Sequence, residues 1–250
     1  MLTTNRYDSI GTTYAATRRT EPRIAARIHA ALGEADRVVN IGAGTGSYEP
    51  ADRSVIAIEP STTMLQQRPA DAAPVVRAIA EALPFPDRAF DAALAVLTVH
   101  HWTDIERGLL EMQRVATRQV VLFFEPSWVA EFWLVREYFL EILALGSERA
   151  APSAARLSRT LANAHSEPVP VPADCVDGFG GSCWNRPEAY LEPAVQDGMS
   201  SFAQLDPQVR ARGTERLRRD LASGAWDARH GDLRERSEMD LGYRLLVAGR

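Results

Sequence analysis

Apolar residues gather in short, nearly unbroken runs over the first half of the chain. The runs are RVVNI (37–41), SVIAI (54–58), FDAALAVLTV (90–99) and QVVLFF (119–124), with VVRAIA (75–80) as a weaker fifth. Runs of that length and β-branched content suit strands buried on both faces of a parallel sheet. Between them the spacing turns helical. In RIAARIHAAL (23–32), Ile24, Ile28 and Leu32 fall on one face. TDIERGLLEMQRVA (103–116) opens with Thr103 and Glu106 at the spacing of a capping box. Strands alternating with helices predict an α/β fold, doubly wound and mostly parallel, with right-handed crossovers.

The pattern changes after residue 126. Residues 127–146 predict one aromatic-rich helix and SAARLSRTLANAH (153–165) another. EPVPVPADCV (167–176) is interrupted by proline, an edge strand at best. Residues 175–236 hold glycine, proline and arginine-rich helical pieces without a repeat. DLGYRLLVAG (240–249) returns to a strand pattern, so the tail folds back into the sheet as a C-terminal antiparallel strand. The expected organisation is one domain over 1–250. It has an N-terminal helical cap at 1–36 and a helical insertion or lid at 175–236, before the last strand.

Composition narrows the chemistry. All 28 basic residues are arginine, which excludes a lysine Schiff base and a P-loop lysine. A net charge of −5 argues against a nucleic-acid binder that works through bulk charge. Cys175 and Cys183, with seven residues between them, make no zinc pattern and read as ordinary thiols of a reduced cytoplasm. MLTTNRYDSI lacks an apolar signal core. The most apolar stretch, WVAEFWLVREYFLEILAL, carries Glu131, Arg136, Glu137 and Glu141, too many charges for a membrane span.

The first strand runs into a glycine loop, VVNIGAGTGSYE. Gly42, Gly44 and Gly46 stand as G-x-G-x-G, where a dinucleotide fold wants G-x-G-x-x-G. The next strand ends on an acid, Glu59 in VIAIEPS. Bare backbone for a ligand to lie against, followed by a carboxylate able to accept ribose hydroxyls, predicts a nucleoside ligand. The alternative is a tight turn needed only for packing.

NIGAGTG, AIEPS and AEALPFPDRAFDAALAV together resemble the class I S-adenosylmethionine-dependent methyltransferases, in the small-molecule branch known as type 11. The resemblance spans residues 7–126. It implies a seven-stranded Rossmann-like sheet and S-adenosylmethionine as cofactor. By that resemblance Gly42, Ala43, Gly44 and Gly46 line the methionine portion and Glu59 holds the ribose. Pro60 and Met64 pack near the adenine, Ala80 and Glu81 sit at its edge, and Thr98 joins the cofactor site. Tyr7 and Tyr14 match tyrosines of an N-terminal helix that closes over the cofactor, with packing anchors as the alternative; Arg19 reaches the cofactor carboxylate. Two departures stand out. The family has an acid two residues before the first glycine, to accept from the cofactor amino group; here it is Asn40, an acceptor without charge. Only SYEPADR separates Gly46 from the next strand, too short for the usual helix.

Strand 90–99 continues into LTVHHWTD. His100, His101 and Trp102 then fall at the carboxyl edge of the sheet, where ligands bind in such folds. So does Glu125, which ends the next strand. A histidine there can take a proton from a hydroxyl, and a carboxylate can orient it. His100 or His101 is thus a candidate base with Glu125 as partner; the alternative is a capping or packing role, with Trp102 closing the adenine side. The acceptor pocket is expected from Trp102, Trp128, Phe132, Trp133, Phe179 and Trp184; the alternative is core, or a homodimer face. The arginines of RARGTERLRRD (210–220) read as a solvated helix face balanced by nearby acids, with binding of an acidic substrate as the alternative. No metal site is expected. The resulting expectation is a cytoplasmic methyltransferase acting on a small molecule, with neither nucleic acid nor membrane as partner. O-methylation with histidine assistance comes first. C-methylation of quinone or natural-product type, cofactor binding without catalysis, and an NAD(P)-dependent oxidoreductase are the alternatives.

Overall fold

A computed structural model describes residues 18–249, so Tyr7, Tyr14 and most of the expected N-terminal cap lie outside the described residues. Helix α1 (Pro22–Ala31) starts with proline at its first position, and the Glu21 carboxylate caps it by accepting from Arg23 N. It buries Ile24, Ala25 and Ile28 against the sheet.

The parallel strands are β1 (Arg37–Ile41), β2 (Ser54–Ile58), β3 (Val75–Val76), β4 (Phe90–Val96) and β5 (Ala116–Phe124). Helix α2 (Thr62–Gln66) follows β2, and helix α3 (Ile105–Val115) joins β4 to β5. The last strand, β9 (Tyr243–Gly249), pairs antiparallel with β5 and with the edge strand β6 (His165–Pro168). The seven-stranded order is β3-β2-β1-β4-β5-β9-β6. The order reverses between β1 and β4, which opens a crevice beyond their carboxyl ends. Alternate residues fill two cores: Val38, Val120 and Leu245 face one, while Val39, Val121 and Leu246 face the other.

Helix α3 begins at Ile105, and Asp104, not Thr103, caps it by accepting from Arg107 N at 2.9 Å. Glu106 leaves the helix start for an ion pair with Arg156 at 2.9 Å. Strand β4 stops at Val96, because Leu97 takes a left-handed φ of +50° and a 3-10 turn follows at Val99–His101. The VVRAIA run forms a strand only at Val75–Val76.

The expected single helix at 127–146 is broken. Helices α4 (Pro126–Glu131) and α5 (Trp133–Tyr138) meet at an extended Phe132, and a 3-10 turn covers Leu140–Ala144. The break lets Trp133 Nε1 donate to Trp184 O at 2.9 Å, and a buried ring with a satisfied N–H outweighs helical propensity. Helix α6 (Gly146–Ala150) follows. Helix α7 (Ala154–Thr160) ends five residues earlier than expected, leaving His165–Pro168 free to pair with β9.

Strands β7 (Val171–Pro172) and β8 (Glu238–Met239) pair antiparallel and close the base of the segment between them. That segment contains α8 (Pro193–Asp197), α9 (Ser200–Ala203), α10 (Pro207–Ala222) and α11 (Ala225–His230). Its Trp184, Tyr190 and Trp226 pack with Trp133 in one core. On α10, Arg210 pairs with Asp197 and Arg212 with Glu141.

Candidate cofactor and acceptor site

A cavity of about 720 Å³ opens beyond the carboxyl ends of β1, β2 and β4. Gly42 and Gly44 line it with φ values of +68° and +54°, a conformation that side chains rarely adopt. A Cβ on Gly42 would lie 2.0 Å from Thr98 Oγ1, so no larger residue fits there. Gly44 N donates to Glu59 Oε2 at 2.8 Å, and Ser61 N donates to Glu59 Oε1 at 2.8 Å. The Glu59 carboxylate is therefore fixed in orientation, and it forms part of the cavity wall. Ala43, Pro60, Met64, Ala80, Glu81 and Thr98 also line the cavity. Glu81 additionally braces the approach to α3, accepting from Thr103 N at 2.7 Å.

Asn40 is 1% exposed and lines the same cavity. Its Nδ2 donates to Glu49 Oε1 at 3.2 Å. A carboxylate only accepts, so this bond settles which amide atom points where. Oδ1 is buried without a partner in the structure. An unmet acceptor of this kind costs about 1–3 kcal/mol unless a ligand donor meets it. Behind it, Arg68 Nη2 reaches both Glu49 oxygens at 3.0 Å, and Arg68 Nη1 donates to Gly44 O. Arg68 and Glu49 are nearly buried. The negative charge missing at position 40 is thus present one residue behind it, already paired.

No helix intervenes between Gly46 and β2. Tyr48 occupies the place instead, 1% exposed with a left-handed φ of +66°. Such a residue costs of order 1–3 kcal/mol and needs support. Tyr48 has it: its hydroxyl donates to Asp177 Oδ2 at 2.7 Å, and its N donates to Thr20 Oγ1. Burial, then the neighbouring Asp177 charge, pushes the Tyr48 phenol far above its ordinary range. Asp177 also accepts from Arg18 Nε at 2.6 Å and Arg18 Nη2 at 3.1 Å. One buried carboxylate of the insertion therefore ties the glycine loop to Arg18, which lines the cavity.

Two expected cofactor residues fall elsewhere. Arg19 is exposed and does not line the cavity; the bidentate grip of Asp177 brings Arg18 there instead. Gly46 packs under the Glu49–Arg68 pair, where its Cβ would meet Glu49 Oε2 at 3.2 Å. It serves the loop's packing and forms no part of the cavity wall.

A second cavity of about 120 Å³ adjoins the first, and Arg18, Leu97, His100 and His101 line both. The histidine rings lie tilted against each other at 49° with centroids 3.8 Å apart, and His100 meets Phe124 edge-on at 5.0 Å. Phe132, Phe179, Phe202, Leu241 and Tyr243 make the second cavity mostly apolar. Glu148 also lines it. Desolvation by burial raises its carboxyl from the ordinary range to about 7.

Four expectations fail on this side, the first being Trp133, which is 3% exposed, lines neither cavity and belongs to the core. Glu125 lines neither cavity; its Oε1 accepts from Ala154 N at 2.6 Å and so ties β5 to the start of α7. Trp128 lines neither cavity and is 39% exposed, with the Arg244 guanidinium 5.2 Å from its ring. Trp184 is core, fully buried, with Nε1 donating to Val171 O. Trp102 lines the larger cavity, where Gly108 makes room for its ring. Phe179 lines the second cavity.

Arg18, Tyr48, Asp177, Ser147 and Glu148 belong to the site without having been singled out. The TRR and GSYE stretches flag the first two only as neighbours of chosen residues, and ALGSERA around Glu148 carries no signal. Among the described residues, no group of three or more His, Cys, Asp or Glu side chains is arranged to hold a metal ion. No helix among them is long and apolar enough to cross a membrane.

The family described as "Methyltransferase domain" matches residues 39–124. A provisionally assigned methyltransferase from an antibiotic biosynthesis pathway of Anabaena variabilis ATCC 29413 is 31% identical in sequence. Its structure superposes with a TM-score of 0.85, covering 93% of this chain and 99% of that one. An uncharacterized methyltransferase of Bacillus subtilis (strain 168) is 29% identical over 90 residues, 32% of this chain and 36% of its own. A demethylmenaquinone methyltransferase of Thermus thermophilus is 43% identical over 72 residues, 27% of this chain and 33% of its own. The matches to these two curated relatives thus span about a third of their length. The Anabaena structure matches over nearly its whole length, and the glycine loop, Glu59 and the reversed sheet order lie where the family match runs. The chain belongs to the class I S-adenosylmethionine-dependent methyltransferases of the type 11-like branch, and S-adenosylmethionine is its cofactor.

Proposed function

We propose that this protein transfers the methyl group to a hydroxyl of a small apolar acceptor, with His100 or His101 receiving the proton. The observation that carries the reading is the position of the histidine pair on the shared wall of the two cavities. One cavity suits the cofactor in size, since sites for molecules of that class run from about 300 to 1,000 Å³. The orphaned Asn40 Oδ1 and the cradle at Gly42 fit a ligand bearing an amino group against bare backbone. Asn40 would accept from that amino group, Glu59 from the ribose hydroxyls, and Arg18 would face the carboxylate. Pro60, Met64, Ala80 and Trp102 would surround the adenine.

When bound, the cofactor supplies an electrophilic methyl on a sulfonium. The chain's own work is then to align the acceptor, keep water out and take one proton. A ring nitrogen of the histidine pair would hold the proton that the hydroxyl loses as its oxygen forms the new carbon bond. The segment 175–236 would act as the roof, through Phe179 and Phe202. The antibiotic-pathway relative favours a natural-product acceptor, and the demethylmenaquinone relative keeps C-methylation as the second reading. The reading places the enzyme in the cytoplasm, in keeping with its free Cys175 and Cys183.

The test is transfer of radiolabelled methyl to a panel of small phenols, alcohols and quinols by the wild type, His100→Ala and His101→Ala. Methyl ethers from the wild type and a loss of about 10²–10⁴-fold in one histidine variant are expected of a general base. Near-native rates in both variants contradict histidine assistance, and a C-methylated product supports the second reading.

A further inference from the structure

We propose that Glu148 is the acceptor-recognition group of the second cavity, taking up a hydrogen-bond donor, hydroxyl or ammonium, on a compact apolar molecule of about one ring. This deepens the reading above and rests on it for the statement that the second cavity holds the acceptor.

The walls of the cavity are mostly aromatic and aliphatic, with Arg18, His100, His101, Ser200 and Ser201 on its polar side, and Glu148 brings a carboxylate to them. Helix α6, which carries it, packs against the 99–101 turn that carries the histidines. Among the described residues the Glu148 carboxyl has no hydrogen-bond or ion-pair partner. Three polar groups around it are engaged with other partners: Arg18 with Asp177, the Tyr243 hydroxyl with Gly180 O, and Ser147 Oγ with Gln204 Nε2. The rise of its pKa to about 7 has burial as its cause, with no charge of opposite sign to offset it. An acid left in this state is destabilising, and such a cost is characteristic of a binding site whose partner arrives with the ligand.

The size of the cavity sets the body of the ligand. About 120 Å³ is close to the roughly 150 Å³ of an apolar protein cavity that takes up benzene. In its ionised form, above about pH 7, the Glu148 carboxylate accepts and never donates, so the ligand supplies the donor, and the probes are read at pH 8. A hydroxyl and an ammonium share that chemistry.

The probes are 4-fluorotoluene, 4-fluorobenzyl alcohol and 4-fluorobenzylamine, titrated by fluorine-detected NMR with and without saturating S-adenosylhomocysteine. For the wild type the alcohol, the amine or both should bind roughly tenfold or more tightly than the toluene, the scale of a hydrogen bond to a charged group. Glu148→Met should abolish that ratio while retaining the toluene. Glu148→Gln, the milder variant, should keep the alcohol's advantage and lose the amine's. An advantage confined to the alcohol assigns a hydroxyl donor, and one confined to the amine assigns an ammonium. Equal affinities of all three probes for the wild type, or a ratio unchanged in Glu148→Met, overturn the proposal. Failure of S-adenosylhomocysteine to bind would count against the cofactor site alone, because the probe ratio is also read without it.

Discussion

Gly44 N and Glu59 Oε2 are joined by a 2.8 Å hydrogen bond, which links the first bend of the sheet to the end of its second strand. The glycine loop and the acid are one unit: the carboxylate that faces the cavity also sets the loop's conformation. Removing it therefore has two consequences, one for ligand and one for fold. Glu59→Ala should weaken S-adenosylmethionine binding by about 1–3 kcal/mol and lower the melting temperature of the free protein as well. Calorimetric titration and thermal unfolding read the two separately. Unchanged affinity in a folded variant would remove Glu59 from the cofactor site.

Asn40 and Glu49 make a second linked pair, with Asn40 Nδ2 donating to Glu49 Oε1 at 3.2 Å. Asn40→Asp restores the family's acid but sets two carboxylates against each other. Like charges raise a carboxyl pKa in the folded state above its unfolded value. The folded variant then binds more protons than the unfolded chain, so its stability falls as pH rises from about 4 through the raised pKa. Relative to wild type, Asn40→Asp should lose about 1–2 kcal/mol at pH 7.5 and much less at pH 4.5, measured by urea unfolding at both. A deficit that does not depend on pH would mean that Arg68 already neutralises both acids.

Glu148 gives the opposite experiment. Its folded pKa of about 7 lies above the unfolded value near 4.5, so the folded state holds the proton more tightly. Stability present below about pH 4.5 is lost as pH rises through 7. His100, His101, Arg18 and Tyr243 line the same cavity and are common to both proteins. The difference between Glu148→Gln and wild type isolates the acid. That variant should be more stable than wild type by about 1–3 kcal/mol at pH 8 and nearly equal at pH 4.5, by thermal unfolding across pH. Equal stability at both pH values would show that the carboxyl is well solvated.

The strands of the sheet and the cofactor half of the site were legible because each rests on local pattern. Buried parallel strands write continuous apolar runs, and a positive-φ bend demands glycine whatever surrounds it, as at Gly42. The acceptor half depends on contacts far apart in sequence, which no local pattern records. A carboxylate at the end of a strand looks the same whether it faces a ligand or, like Glu125, holds a backbone N–H 29 residues away. The aromatics at 128, 132, 133, 179 and 184 look alike too. Only packing sorts Phe132 and Phe179 into a cavity wall and Trp133 and Trp184 into the core. The break at Phe132 follows from the same packing, since helical spacing continues through it in the sequence. Arg18 replaces Arg19 because Asp177, 159 positions away, selects one of two adjacent arginines.

The most direct measurement is a crystal structure of the protein with S-adenosylhomocysteine. The adenosine should lie between Glu59 and Met64, the amino group against Asn40 Oδ1, and the sulfur should point toward His100 and His101. Density for the ligand outside the larger cavity, or with its sulfur turned away from the histidines, would contradict the account.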